Sequence, residues 1–203
     1  MKIYWCPRTR ASRVVWMLEE LGRPYERVYV DIRAPGPRDP EFLAASPMGK
    51  VPALADGPVT VADSAAICLY LADRYASGTL APAIDDPSRG RFLYWIMYAP
   101  GVFEPAMAEK FSGLPAKRQT HGWGDFPAMI ATLEAGLAAG PWIMGDTFTA
   151  ADVLLGSSVA FLRMFGGLPD SPVLSAYADR CVERPAYRRA MALDEQADAP
   201  AGT

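Results

Sequence analysis

Apolar residues near the start of the chain follow two patterns, one typical of short strands and one typical of helices. Residues 2–6 and 25–31 are rich in tyrosine, isoleucine and valine and partly alternate with polar residues, which predicts two strands. Between them, residues 11–21 carry apolar side chains at helical spacing, and Gly22 follows directly. Because a glycine in that place commonly ends a helix, we expect one helix between the two strands.

The next segments predict a hairpin and a second helix. Residues 52–55 and 59–61 flank an Asp-Gly dipeptide at 56–57, which supplies the positive φ angles of a tight turn. Apolar positions then recur at helical spacing over residues 63–75. Residues 33–49 show no clear pattern. A strand, a helix, a strand, a hairpin and a helix in this order indicate a small mixed sheet with helices packed on it.

Residues 77–87 have the proline, glycine and aspartate content of a linker, and the patterns beyond it are helical. The first of these helices spans 89–111 and contains Pro100 and Pro105, so a kink or a break is expected. Further helices are predicted at 127–139, 149–165, 173–183 and 185–193. The predicted fold class is α/β plus all-α, with a mixed domain at 1–78 and an all-helical domain at 86–203.

One helix start carries a sharper local signal than the others. Thr149 stands three residues before Asp152, and a hydroxyl and a carboxylate at this spacing satisfy each other's backbone amides. The loss of such a cap costs about 1 kcal/mol. We interpret the pair as a folding device without a catalytic role.

Composition and charge narrow the range of functions. The 203 residues are 51% hydrophobic and 21% charged, as in globular proteins, and a net charge of −3 with a pI near 5.2 favours neither a nucleic acid nor a membrane as partner. Three cysteines without a Cys-x-x-Cys pair and a single histidine exclude zinc spacing, so no metal is expected. Short apolar runs and arginines near the N-terminus predict a cytoplasmic protein without a signal peptide.

The loop at 6–13 leads from the first strand into the first helix. Unpaired amides and the positive end of the helix dipole favour an anion there, and a thiolate is such an anion. Hydroxyl groups and arginines in the loop would lower a thiol pKa further. The alternative is structural: Ser12 caps the helix and the arginines are solvated.

Two further segments suit a ligand. Pro52 stands at the start of a predicted strand, and a cis bond there would turn the backbone amide and carbonyl of Val51 outward, free to pair with an extended peptide. Asp63 and Ser64 begin a helix, where backbone amides bind a carboxylate. An ordinary loop proline and simple helix capping are the alternatives for these two segments.

Together these segments resemble the glutathione transferase family over nearly the whole chain. The matching segments stand in the family's order: Lys2-Ile-Tyr-Trp with Pro7 and Leu18-Glu-Glu-Leu-Gly-Arg-Pro-Tyr25, then Lys50-Val-Pro-Ala-Leu54, Asp63-Ser-Ala-Ala-Ile67, Phe148-Thr-Ala-Ala-Asp-Val153 and Arg184-Pro-Ala-Tyr187. The resemblance implies a thioredoxin-like first domain that binds glutathione as co-substrate. It also implies a helical second domain that supplies an apolar pocket for a small-molecule electrophile, and a homodimer.

The resemblance further implies roles for particular residues. Val51 would pair its backbone with the cysteinyl part of glutathione across a cis bond to Pro52. The γ-glutamyl carboxylate would lie on the amide and hydroxyl of Ser64, and its amino group would face Asp63. Lys50 would either pair with the glycyl carboxylate or be solvated.

The resemblance leaves open which group acts on the thiol. Thr9 stands where insect-type and theta-like classes have a catalytic serine, and Arg10 stands where bacterial beta-class enzymes have a cysteine. Cys6 with Pro7 resembles the omega-class cysteine and the first cysteine of glutaredoxins. Ala65 departs from the family, because several classes carry an arginine there.

These candidates lead to different functions. Thr9 as a hydrogen-bond donor implies conjugation of the glutathione thiolate to a small apolar electrophile, which is the function we favour. Cys6 as a nucleophile implies a thioltransferase or dehydroascorbate reductase that works through a mixed disulfide. A non-catalytic interaction protein with the same fold is the third hypothesis.

The remaining side chains are assigned to packing, to the surface or to the pocket. Cys68 and Cys181 are predicted to pack in the core, and His121, on a glycine-flanked loop, is predicted to be exposed. A helix broken at 100–101 can expose apolar groups to a cleft. The residues expected to face the electrophile pocket for this reason are Tyr98, Val102 and Phe103.

Overall fold

The computed structural model describes residues 1–196. Its contacts divide the chain into two compact units. Unit 1 consists of Met1–Tyr75 together with the chain from Glu183 onward, and unit 2 consists of Ala76–Val182. The last helix therefore belongs by its contacts to unit 1, whereas the sequence assigns it to the helical domain. The predicted domain boundaries at 1–78 and 86–203 stay a prediction.

Unit 1 contains a four-stranded mixed sheet and four helices among its described residues. The strands are β1 (Lys2–Trp5), β2 (Glu26–Tyr29), β3 (Ala53–Asp56) and β4 (Val59–Ala62), and the helices are α1 (Ala11–Leu21), α2 (Pro40–Ala45), α3 (Ser64–Tyr75) and α9 (Pro185–Gln196). The strand order is β2-β1-β3-β4. Strand β1 is parallel to β2 and antiparallel to β3, and the predicted hairpin β3–β4 is antiparallel.

Helix α2 lies in the segment for which the sequence showed no pattern. It is only six residues long, too short for a periodic apolar face. Its start is nevertheless well capped, because Asp39 Oδ1 accepts hydrogen bonds from the amides of Glu41 at 2.8 Å and Phe42 at 3.1 Å. Phe42 is buried against Tyr4 of β1, with ring centroids 5.4 Å apart.

Helix α1 forms the centre of the unit 1 core and is joined to α9 by aromatic and ionic contacts. Trp16 is fully buried and meets the ring of Tyr187 edge-on at a centroid distance of 5.0 Å. One turn further along α1, both Glu20 carboxylate oxygens accept hydrogen bonds from Arg184, at 2.6 and 2.8 Å. Helix α1 ends as predicted at Gly22, which has φ +63° and donates its amide to Leu18 O.

Unit 2 is built from helices in its described residues. They are α4 (Arg89–Tyr98), α5 (Glu104–Ser112), α6 (Phe126–Gly136), α7 (Ala150–Met164) and α8 (Pro172–Glu183), the last of which ends in the first residue assigned to unit 1. The predicted break between 89 and 111 is confirmed as a π-helical turn over Ala99–Phe103, which includes Pro100. No helix in the described part of the chain is both long and apolar enough to cross a membrane.

The predicted cap of α7 is confirmed, and it reaches beyond its own helix. Asp152 is fully buried, and its Oδ2 accepts from the Thr149 amide at 2.9 Å. Its Oδ1 accepts from the amide of Ile143 at 2.8 Å and from the Tyr177 hydroxyl at 3.0 Å. Burial raises the pKa of Asp152 to about 6, although these hydrogen bonds oppose the shift. One carboxylate thereby joins α7, α8 and the loop at 143.

Candidate functional site

The start of α3 combines a capped helix end with a buried serine. Asp63 has φ +74°, and its Oδ1 accepts from the Ala65 amide at 2.9 Å, so the capping interpretation of Asp63 is correct. Ser64, the first residue of α3, is 6% exposed. The amides in the first turn of a helix have no intrahelical partner and carry the positive end of the dipole. This end of α3 therefore favours an anion.

A buried arginine strengthens that preference. Arg13, on α1, is 8% exposed, and its Nη1 lies 3.5 Å from Ser64 Oγ, to which it donates. The guanidinium thus supplies a positive charge at the start of α3, where Ala65 lacks the arginine of several related classes. The sequence does not single out Arg13, one of the arginines in the loop at 6–13, as a site residue. Its position in α1 gave no sign of a contact with a residue 51 positions away.

The segment before β3 has the expected backbone geometry. The Val51–Pro52 peptide bond is cis. The backbone amide and carbonyl of Val51 have no hydrogen-bond partner within residues 1–196. The loop itself is held by buried Ser46, whose hydroxyl donates to Lys50 O at 2.7 Å and accepts from Lys50 N at 3.0 Å. The Lys50 side chain is exposed.

The loop between β1 and α1 is closed by the hydroxyl of Thr9. This hydroxyl donates to Cys6 O at 2.7 Å and accepts from the Ala11 amide at 3.1 Å. Arg10 is exposed, and its side chain makes no capping hydrogen bond to α1. The Cys6 residue is buried, with 2% of its surface exposed. Thr9 is half-buried, so it is the more exposed of these two candidates.

A residue near the far end of the described chain holds the same loop. Asp194, in α9, is buried, and its Oδ2 accepts from the Arg8 amide at 3.3 Å and from the Ser12 hydroxyl. The alternative that Ser12 caps α1 is wrong, because Ser12 lies within α1 and its hydroxyl donates to Asp194, while the first amide of the helix is bound by Thr9. The alanine, aspartate, proline and glycine content after Asp194 predicts a frayed tail. Helix α9 nevertheless continues to Gln196, and the rest of that tail lies outside the described residues.

The only histidine is not the free surface side chain that the sequence predicts. His121 Nδ1 lies 2.7 Å from Oε2 of Glu109, and Trp123 Nε1 donates to the same oxygen at 3.3 Å. Glu109 is 7% exposed, and the rings of His121 and Trp123 lie 4.4 Å apart. We find no group of three or more histidine, cysteine, aspartate or glutamate residues suited to a metal ion in the described chain.

The residues predicted for the apolar pocket belong to the interior of unit 2. Phe103 is fully buried, and buried Tyr98 donates its hydroxyl to Met129 O at 2.8 Å. Burial raises the pKa of Tyr98 to about 12. These two side chains are not exposed to a cleft as expected, whereas Val102 is half-buried. The pocket assignment stays a prediction and now depends mainly on Val102.

The other two cysteines are buried, as predicted. Cys68 and Cys181 are both fully buried and form no disulfide. Burial raises the pKa of the Cys68 thiol to about 12, and the positive charge of Arg13 opposes that shift. Both thiols are therefore packing groups.

Comparison with known proteins matches both parts of the chain to one family. The profile described as "Glutathione S-transferase, N-terminal domain" matches residues 5–74, and "Glutathione S-transferase, C-terminal domain" matches residues 104–180. Among curated proteins, the chain is 30% identical to glutathione S-transferase 3 of Zea mays, covering 95% of this chain and 93% of that protein. It is 28% identical to the disulfide-bond oxidoreductase YfcG of Escherichia coli (strain K12), covering 93% of each.

A solved structure agrees with this result. The chain is similar to a sphingomonad glutathione S-transferase complexed with glutathione, with a TM-score of 0.76 and 28% identity, covering 96% of this chain and 99% of that one. The sheet with its helices and the helical unit have the thioredoxin-like plus all-α organisation expected of the family. The chain belongs to the glutathione S-transferase family.

Proposed function

We propose that the protein binds glutathione in unit 1 and conjugates it, through its thiolate sulfur, to a small apolar electrophile. The observation that carries the proposal is the buried Arg13 guanidinium beside Ser64 at the start of α3. The positive charge of Arg13 adds to the positive end of the α3 dipole, so this place favours an anion, and the γ-glutamyl carboxylate of glutathione is one. The glutathione bound in the similar sphingomonad enzyme supports the same ligand.

The two ends of the γ-glutamyl group would meet opposite charges. Its carboxylate would accept from the amide and hydroxyl of Ser64, next to Arg13. Asp63 uses one carboxylate oxygen to cap α3, so its other oxygen would accept from the ammonium group. A zwitterionic amino acid fits this pair of contacts better than a simple anion does, because both of its charges are matched.

The remainder of the tripeptide would run along the segment before β3. The Val51 amide and carbonyl, which lack partners in the described chain, suit the antiparallel pairing of an extended peptide. Pro52 would border the cysteinyl residue at this edge. The exposed ammonium of Lys50 would then be available to the glycyl carboxylate.

Thr9 is the proposed donor to the glutathione sulfur. A thiolate is a stronger acceptor than a neutral carbonyl, so it would accept the hydrogen bond that the Thr9 hydroxyl now donates to Cys6 O. The exposed guanidinium of Arg10 would add electrostatic support. The thiol proton passes to solvent, and the thiolate attacks the electrophile. For an aryl halide, a carbon–sulfur bond forms, and the halide leaves with its bonding electron pair.

A second candidate function is glutathione-dependent disulfide reduction. The similarity to a disulfide-bond oxidoreductase favours it. In this reaction Cys6 would form a mixed disulfide that a second glutathione resolves, since no second cysteine lies in the loop. The burial of Cys6 argues against that route, because the thiol must reach its substrate. A non-catalytic role is the third candidate, and failure of immobilised glutathione to retain the protein would favour it.

Binding is tested first. The wild-type protein should be retained by immobilised glutathione, and Ser64→Ala should weaken the affinity measured by calorimetry about 10–100-fold, as for the loss of a hydrogen bond to a charged group. Ser77→Ala, at an exposed position, is the matched control. If the wild type is not retained, or if both variants bind equally well, the proposed site is wrong.

The chemistry is tested with two substrates, chlorodinitrobenzene for conjugation and a glutathione mixed disulfide for reduction. Thr9→Ala should lower the conjugation kcat, Thr9→Ser should retain it, and Cys6→Ala should leave it unchanged. If only Cys6→Ala loses activity, and it does so in the reduction assay, the second candidate function replaces the first.

The homodimer expected from the family is a separate proposal. Leu93, Tyr94 and Met97 follow one side of α4, and between 37% and 52% of each is exposed. Such an apolar strip on unit 2 supports association with a second copy. Light scattering should give twice the mass of one chain, and Tyr94→Lys should shift the protein towards a monomer. A monomeric wild type would contradict the proposal.

A further inference from the structure

We infer that Asp194 is a positioning residue for thiol activation, holding the loop that carries Thr9 from the opposite end of the sequence. The inference rests on the proposed function, because it concerns the same thiol. It adds a residue of the last helix to a site that sequence reasoning placed entirely within residues 6–64.

The geometry places Asp194 across the base of the loop. Its Oδ2 accepts from the amide of Arg8 and from the hydroxyl of Ser12, and these two residues bracket Thr9. The carboxylate and the Ser12 hydroxyl are 182 positions apart in the chain. Because both donors flank the proposed catalytic hydroxyl, their common acceptor sets the direction in which the loop presents it.

The backbone conformation of the loop needs a stabilising contact from outside the loop. Arg8 has φ +57°, a left-handed conformation that residues with a side chain adopt rarely and that persists only where the surroundings impose it. Its amide is one of the groups that Asp194 binds. Thr9 stabilises the inner part of the loop through Cys6 and Ala11, but neither of those contacts reaches Arg8.

The position of Asp194 is itself determined by neighbours from the sheet. Arg27 of β2 donates from Nη1 to Leu193 O at 3.1 Å, directly before Asp194. Asp194 is 8% exposed, so its carboxylate is held within the protein rather than in solvent. A residue fixed in this way can orient a loop, whereas an exposed carboxylate at a helix end would not.

The experiment compares Asp194→Ala with Asp194→Asn. The alanine variant should lower the conjugation kcat about 10–100-fold, because a small misplacement of a catalytic group costs that much. Glutathione affinity should stay near the wild-type value, since Ser64, Arg13 and Val51 are untouched. The asparagine variant keeps an acceptor oxygen and should recover most of the kcat. Glu195→Ala, exposed on the same helix, is the matched control.

Two readouts separate a positioning role from a structural one. Loss of folded protein would lower the number of glutathione sites per chain, whereas mispositioning lowers the kcat per site. Hydrogen exchange at the Arg8 amide should become faster in Asp194→Ala and stay slow in Asp194→Asn. If Asp194→Ala does not fold, Ser12→Ala removes one of the two donors and should lower the kcat in the same sense.

The outcomes distinguish this inference from the proposed function. A wild type that neither binds glutathione nor conjugates it overturns both. A wild type that is active, with an equally active and folded Asp194→Ala, overturns the positioning role alone. An equal loss in the alanine and asparagine variants would also contradict it, since an acceptor oxygen would then not be what matters.

Discussion

Two helix starts in this protein use a buried aspartate in different ways. At α7 in unit 2, Asp152 lies three residues from Thr149, with which it forms the cap. At α1 in unit 1, Asp194 reaches the loop from another helix, 182 positions from Ser12. Both carboxylates accept a backbone amide and a hydroxyl. The Thr149–Asp152 cap joins residues close in the chain, whereas the contacts of Asp194 with the loop exist only after the chain has folded.

The starts of α7 and α3 differ in whether they only stabilise the fold or also suit a ligand. Asp152 accepts donors on both of its oxygens, all of them from its own unit, so this helix start has no capacity left for a ligand. The start of α3 differs, because Ser64 and the positive charge of Arg13 lie beside the cap that Asp63 forms with the Ala65 amide. The start of α7 stabilises the fold, whereas the start of α3 is the site that we propose for an anion.

The largest effect on the free energy of unfolding is expected from removing Asp152, the buried carboxylate that caps α7. Asp152→Ala should destabilise the protein by about 3–5 kcal/mol in urea unfolding, because it leaves buried donors at Ile143, Thr149 and Tyr177 without their acceptor. Asp179→Ala, which breaks the exposed pair with Arg163, is the control in the same unit and should cost below about 1 kcal/mol. Equal losses in the two variants would show that the buried cap is not special.

The pH dependence of the free energy of unfolding is a second test of the burial of Asp152. Because burial raises the folded-state pKa of Asp152 to about 6, above its usual 3.8, the folded protein binds the proton more tightly than the unfolded chain. Its contribution to stability is therefore full below about pH 4 and is lost as the pH rises through 6, by roughly 3 kcal/mol. Urea unfolding of the wild type at a series of pH values should show this loss of stability as the pH rises, and Asp152→Asn should not show it. If the stability of the wild type and of Asp152→Asn changed with pH in the same way, the raised pKa of Asp152 would be contradicted.

The contact of Asp194 with the loop depends on the packing of α9 against α1. Glu20→Ala breaks the two-point contact with Arg184 and should cost about 1–3 kcal/mol, since Glu20 is 9% exposed as a side chain. Arg189→Ala, more than half exposed, is the control and should cost below about 1 kcal/mol. Hydrogen exchange should rise along α9 in Glu20→Ala while α7 stays protected. An equal rise in amide hydrogen exchange along α9 and α7 would mean that the Asp194 contact and the Asp152 cap are not independent.

The smallest effect is expected at Glu109, whose partners lie 12 and 14 positions away. His121→Ala removes one of two donors to this buried carboxylate and should cost about 1 kcal/mol. Because Lys117 and Arg118 lie in the exposed connection to α6, trypsin should cut the variant there faster than the wild type. His121→Gln retains a donor and should slow the cutting again. Unchanged cleavage would indicate that the contact does not hold the connection.

Sequence reasoning succeeded where the signal lay within a few residues. The glycine end of α1, the Asp-Gly hairpin, the break at Pro100 and the cap of α7 each depend on neighbours in the chain, and all four are found in the structure. Helix α2 was missed because six residues do not establish a period, although Asp39 and Pro40 marked its start. His121 was misassigned because its partner Glu109 lies on a different segment.

The amino-acid sequence by itself determined the order of the elements other than α2, and the family, because propensity, capping and turn chemistry act over short stretches of chain. The tertiary structure alone decided which polar groups meet: Arg13 with Ser64, Asp194 with the loop around Thr9, and Glu109 with His121. Those pairs join residues from separate segments, and no local pattern records them. Their geometry arises only when the packing of apolar faces has brought the segments together.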